Sequence, residues 1–171
     1  MGTFLLSLLY KQLIVLGISV TKLPSTGSPP QAFSDGSLVY DEASNRIISF
    51  GGRVLQTNTC ISSLYSFSLT NLSWDTIYPE SDYKPPGLSD SYTAIHSNAL
   101  YVFFGLKFEG ISCDIYKFDL KIFKWEVVTT QGITIPGRFR HSSTSFTYLD
   151  STYVAIFGGL TSNGYDNELY L

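Results

Sequence analysis

Charged side chains are scarce in this chain of 171 residues, and the 11 Lys and Arg nearly balance the 14 Asp and Glu, for a net charge of −3. No basic run exceeds the spaced trio Lys117, Lys121 and Lys124. Neutralising a phosphate backbone takes a dense basic patch, so nucleic acid is not an expected partner. Histidine is scarcer still. His96 and His141 are the only two, and neither has a second histidine at metal-ligand spacing, which argues against a histidine-rich metal centre. The glycines form neither a phosphate loop nor a dinucleotide fingerprint, so no cofactor is expected. His141 beside Ser142 is not read as a nucleophile and base, because neighbours on a strand point to opposite faces. The expected place of His141 is a strand start, hydrogen-bonded to a neighbouring loop.

There are two cysteines, Cys60 and Cys113, each lying a similar distance past a glycine of successive repeats. Equivalent positions in neighbouring repeats are too far apart for a disulfide, so both are expected as buried free thiols. Long apolar runs number one, Phe4 to Val20, and Lys11 splits it. The charge argues against a membrane span, which needs about 20 apolar residues. Two readings of residues 1–23 stay open. One is a secretory signal cut after Ser19, with Gly17 and Ser19 as its small residues. The other is a strand of the domain itself, over residues 13–23. Secretion follows from the first and a cytoplasmic protein from the second; only secretion would give meaning to the acceptor pattern Asn71, Leu72, Ser73.

What the chain has in plenty is aromatic and apolar residues, 15% and 44%, enough for a packed core. They recur in phrases. Arg46 to Phe50 closes on Gly51 and Gly52, Leu100 to Phe104 on Gly105, and Tyr153 to Phe157 on Gly158 and Gly159. Gly51, Gly105 and Gly158 are 54 and 53 residues apart, and a period near 50 is the mark of a repeat architecture. Tyr65 and Tyr116 are 51 apart, as are Trp74 and Trp125, so spacing and residue type agree. Around them the sequence predicts four short strands per unit. The first unit has Ser37 to Tyr40, Arg46 to Phe50, Leu64 to Leu69 and a strand from Trp74; the second has Tyr92 to Ile95, Leu100 to Phe104, Ile115 to Leu120 and a strand from Trp125. The third has Ser142 to Tyr148, Thr152 to Phe157 and Asn167 to Leu171, with no fourth strand. Residues 24–36 read as a loop. The fold class is therefore all-β, a partial β-propeller of about three four-stranded antiparallel blades.

Pro136, Arg138, His141 and Ser142, then Phe157, Gly158 and Gly159, then Asn167 to Tyr170, resemble the signature of a kelch repeat. The likeness covers about residues 30–171, and the kelch-repeat region is set at 24–171, divided as 30–85, 86–135 and an incomplete 136–171. In repeat two Leu106 stands where a second glycine is expected, and Ala32 and Leu88 stand where the third repeat has Arg138. The resemblance implies the architecture of the galactose oxidase-like central domain and a non-catalytic module that binds a peptide or protein through one loop face. A fragment of a secreted propeller enzyme or carbohydrate-binding protein is the competing implication, although the ligand clusters of kelch copper oxidases are not recognisable here.

The implied loop face is built from Arg53 to Thr59, Lys107 to Ser112, Leu160 to Asp166, and the lead-in segments Pro85 to Asp90 and Pro136 to Arg140. Its candidate partner-binding residues are Arg53, Lys107, Asp90, Arg138, Arg140 and His141; the structural set is Gly51, Gly52, Gly105, Gly158, Gly159, Tyr65, Tyr116, Tyr170, Trp74 and Trp125. Arg138 is read two ways: as a guanidinium at the channel mouth holding carboxylates or a peptide backbone, or as an ion pair inside its own loop. Three blades do not close a ring. Ile18 to Leu23 is a candidate for the missing fourth strand, with two chains sharing a ring; otherwise the chain is part of a longer propeller.

Overall fold

The structure is a computed structural model that describes residues 20–171. A short strand, β1 (Thr26–Gly27), precedes three antiparallel sheets, the blades. Blade one holds β2 (Ser37–Asp41), β3 (Arg46–Phe50), a two-stranded ribbon β4 (Arg53–Val54) and β5 (Thr59–Cys60), then β6 (Leu64–Ser68) and β7 (Ser73–Ile77). Blade two repeats the order with β8 (Tyr92–His96), β9 (Ala99–Phe103), the ribbon β10 (Leu106–Lys107) and β11 (Gly110–Ile111), β12 (Ile115–Asp119) and β13 (Lys124–Val127). Blade three has β14 (Arg138–Phe139), β15 (Ser142–Tyr148), β16 (Ser151–Phe157), the ribbon β17 (Leu160–Thr161) and β18 (Gly164–Tyr165), and β19 (Leu169–Tyr170). The main strands meet the expected ones to within a residue or two, except that the last segment shortens to Leu169–Tyr170. Each segment read as a plain loop after the glycines is instead a ribbon.

Inner strands β2, β8 and β15 lie side by side, and each blade runs outward from its inner strand. Turn chemistry sets the hairpins. Ser97 with Asn98 and Leu149 with Asp150 take positive φ at both turn positions, the backbone that suits two-residue hairpins. At the next hairpin the Asp119 carboxylate accepts the N–H groups of Lys121 and Ile122, which holds its pKa below the ordinary value.

The core lies between blades one and two, where Ile48, Phe50, Leu100, Val102, Phe118 and Trp125 are buried together. Trp125 sits 4.9 Å from Phe118 in its own sheet and 5.5 Å from Phe50 of the neighbouring one. Tyr116 is buried as well, its hydroxyl between Ser112 Oγ and Asp114 Oδ2, and burial pushes its pKa up to about 12. Tyr65 and Trp74, the same positions in blade one, are only half-buried, because no blade covers that side of β7 among the described residues.

Pairing also corrects the repeat register. The N–H groups of Gly51, Phe104 and Gly158 donate to Ser63, Asp114 and Glu168, and the carbonyls of Gly52, Gly105 and Gly159 accept from Ile61, Ser112 and Asp166. Phe104, not Leu106, is thus the residue that replaces a glycine. It holds φ 54 where Gly51 has 67 and Gly158 has 68. A Cβ at Gly51 would come 2.4 Å from the Leu88 carbonyl oxygen, so blade one has no room for the same substitution.

The same logic moves the cysteines apart. Ribbon one is longer by two residues, so Cys60 pairs as Ile111 does, and the two are not equivalent. Both thiols are free, but Cys113 is exposed and Cys60 half-buried, contrary to the expected burial. The candidate closing strand Ile18 to Leu23 lies partly outside the described residues; 20–23 are exposed and form no strand. Thr26 and Gly27, in the segment read as a loop, instead pair parallel with Ser73 and Trp74. The signal and cut-site readings fall on residues outside those described. Among the described residues no helix is long and apolar enough to cross a membrane.

Candidate protein-binding face

Because β2, β8 and β15 start at the end of the blade where β3, β9 and β16 finish, lead-in segments and ribbons gather at one end. The lead-ins are Phe33 to Gly36, Leu88 to Ser91 and Arg138 to His141. Each runs against its own ribbon: Ser34 bridges Arg53, Ser89 bridges Leu106, and Arg138 with Phe139 pairs Thr161 with Leu160. Phe33, one residue beyond the expected Ala32, is therefore the first-blade counterpart of Leu88 and Arg138. The second and third lead-ins also tie to the preceding blade, since the Gly52 N–H donates to the Leu88 carbonyl at 2.8 Å and the Gly105 N–H to that of Arg138 at 2.9 Å.

The third residue of every lead-in is left-handed: Asp35 at φ 57, Asp90 at 54 and Arg140 at 55. That backbone costs most side chains about 1 kcal/mol or more, and Asp tolerates it better than Arg. The three are stitched in sequence. Asp90 N–H donates to the Asp35 carbonyl at 2.8 Å, and Arg140 Nε lies 3.3 Å from Asp90 Oδ1. Ser89 Oγ donates to the other Asp90 oxygen. Arg140 remains largely exposed, with its guanidinium 5.7 Å from the Phe139 ring.

Of the candidate residues, Arg53, Asp90, Lys107 and Arg140 come together at this end. Arg138 does not reach solvent: its exposure is 0%. Its Nε donates to the Pro136 carbonyl, its Nη1 to that of Gly158 at 2.8 Å, and the Tyr170 ring lies 4.7 Å beneath. Nη2 is 2.8 Å from Asp166 Oδ2, off the hydrogen-bond line, so that contact is Coulombic attraction at short range. The channel-mouth reading of Arg138 is therefore corrected to the ion pair inside its own blade. Asp166 accepts the Glu168 N–H and sits beside Arg138, and both hold its carboxyl below the usual range.

His141 is corrected too. It packs its ring edge-to-face on Phe104 at 6.0 Å, and neither ring nitrogen has a hydrogen-bond partner among the described residues. Burial, helped by the Arg138 charge, lowers its pKa to about 4, so the ring is neutral at physiological pH. Among the described residues no three His, Cys, Asp or Glu side chains gather as metal ligands would.

Sequence reasoning missed the ribbon tips. Leu55 is 70% exposed, Phe108 91% and Tyr165 91%, all at this one end. The signal was there to read, as large apolar residues standing alone in otherwise polar loops.

Repeated antiparallel sheets whose inner strands lie side by side, joined through shared lead-ins, define a repeat protein of β-propeller type. The family model described as the KLHDC2/KLHL20/DRC7 Kelch-repeats domain matches residues 13–171. The chain belongs to the kelch-repeat family, and as such is in general terms a protein-interaction module. No curated protein matches it.

Proposed function

We propose that the chain is a non-catalytic module that binds a protein or peptide across the ribbon face. Leu55, Phe108 and Tyr165 serve as its apolar anchors. The observation that carries this reading is the exposure of three large apolar side chains, one per ribbon, at the end of the blades where the strained lead-ins also lie. Aromatic residues standing proud beside fixed polar groups are the usual composition of energetic centres in interfaces. Strain at Arg140, a residue ill-suited to left-handed backbone, fits a position kept for use rather than for stability. The test is selection of displayed random peptides on the wild-type protein, followed by binding to a Phe108→Ser, Tyr165→Ser variant. Loss of about tenfold or more in affinity, with an unchanged circular dichroism spectrum, supports the face; equal affinity removes it.

A further inference from the structure

The chain contains four arginines, Arg46, Arg53, Arg138 and Arg140. Three sit on carboxylates: Arg46 on Asp41 at 2.9 Å, Arg138 on Asp166 at 2.8 Å and Arg140 on Asp90 at 3.3 Å. Among the described residues Arg53 alone has only neutral partners, Asn58 Oδ1 at 3.2 Å from Nη1 and Ser89 Oγ at 3.4 Å from Nη2. These acceptors fix the plane of the guanidinium across the junction of blades one and two while leaving its charge uncompensated. A planar donor fork held in place is suited to an anion.

Beside it is a recess of about 280 Å³ between the first two ribbons, lined by Arg53, Asn58, Cys60, Lys107, Phe108 and their backbone neighbours. Two cations face this space and, among the described residues, no carboxylate lines it. Lys107 makes no ion pair among the described residues. In a chain of net charge −3, a recess with two positive groups and no negative one is a local inversion of the field. Its volume suits one side chain rather than a cofactor. The exposed ring of Phe108 forms one wall, so an anion entering here would do so next to an apolar anchor.

We propose that this recess receives an anionic group carried by the partner, a carboxylate or a phosphate ester, held between Arg53 and Lys107. The inference rests on the ribbon face being the binding face and adds the charge of what is bound there. Arg53 gives bidentate geometry and Lys107 a movable point charge. Ser89, which accepts from Arg53 and donates to Asp90, keeps the guanidinium from folding onto that carboxylate.

The experiment uses peptides selected on the full chain, each synthesised in four forms that differ at one position: Glu, phosphoserine, Gln and Ser. Binding is measured by fluorescence anisotropy at low and at elevated salt, for the wild type and for Arg53→Gln, Lys107→Gln, Arg53→Lys and Phe108→Ser. The expected result is a preference of about tenfold or more for an anionic form. Arg53→Gln and Lys107→Gln each reduce it, salt weakens it, and Arg53→Lys restores part of it. Preference for Glu alone assigns an acidic side chain, and preference for phosphoserine alone assigns a phosphorylated one. Lys107→Gln disturbs none of the Arg53 hydrogen bonds, so it keeps the test decisive if Arg53→Gln misfolds. Peptides that lose affinity with Phe108→Ser yet show no preference for an anion would overturn the anion site and leave the face standing. Binding indifferent to Phe108, Arg53 and Lys107 together would overturn both.

Discussion

Arg138 Nη2 and Asp166 Oδ2 are 2.8 Å apart, and the arginine is closed from solvent on every side. A guanidinium in that position anchors β14 to the end of β16 through the Gly158 carbonyl, and holds β19 through Tyr170. Its removal takes the counter-charge from Asp166 and the donor from the buried Gly158 carbonyl. Arg138→Ala is expected to destabilise the chain by about 3 kcal/mol or more, as breaking a buried pair does, with the loss read in urea melts. An Arg138→Ala protein that melts like the wild type would return this residue to the list of free surface cations.

Trp125 and Trp74 hold the same repeat position but not the same burial. Trp125 reaches across to Phe50 of blade one, whereas the ring nearest to Trp74 is Phe67 of its own sheet at 5.0 Å. Trp125→Ala is expected to cost about 3–5 kcal/mol. Trp74→Ala should cost less than half as much, because its outer side already meets water. Equal costs would mean that blade one is covered in solution by something further.

Repeat spacing and strand alternation carried the architecture in the sequence, since hydrophobic period and turn chemistry act locally. The glycine register did not come through correctly, and the reason is physical. Phe104 looked like the end of a strand because it is aromatic, yet its backbone takes the left-handed place that a glycine holds in both neighbouring blades. Counting from Gly105 as a first glycine shifted the repeat by one. The two readings of Arg138 stay open in the sequence, and the ribbon tips go unmarked, for a related reason: loop residues carry no periodicity, so burial at Arg138 and exposure at Phe108 and Tyr165 follow only from tertiary placement. The ribbon-face residues Arg53, Asp90, Lys107 and Arg140 were legible as loop charges; their pairing was not.

Phe104 makes that conflict measurable. Replacing it with glycine relieves about 1 kcal/mol of left-handed strain but discards a buried ring packed on His141. Loss of a buried phenyl costs about 3–5 kcal/mol, so burial wins and Phe104→Gly should lower stability by about 2–4 kcal/mol. A stabilised variant would show that the ring contributes less than the strain it imposes.

His141 sets a pH limit. Its folded pKa of about 4 lies below the ordinary 6.5, so between these values the unfolded chain binds a proton that the native chain does not. Stability conferred by keeping the ring neutral is thus intact above pH 6.5 and declines as the pH falls towards 4. Allowing for the part of the ring near solvent, the loss attributable to this residue is on the order of 1–2 kcal/mol. Denaturation midpoints of the wild type and His141→Gln, taken from pH 7.5 to 4, should converge as the pH drops; parallel curves would assign the acid sensitivity elsewhere.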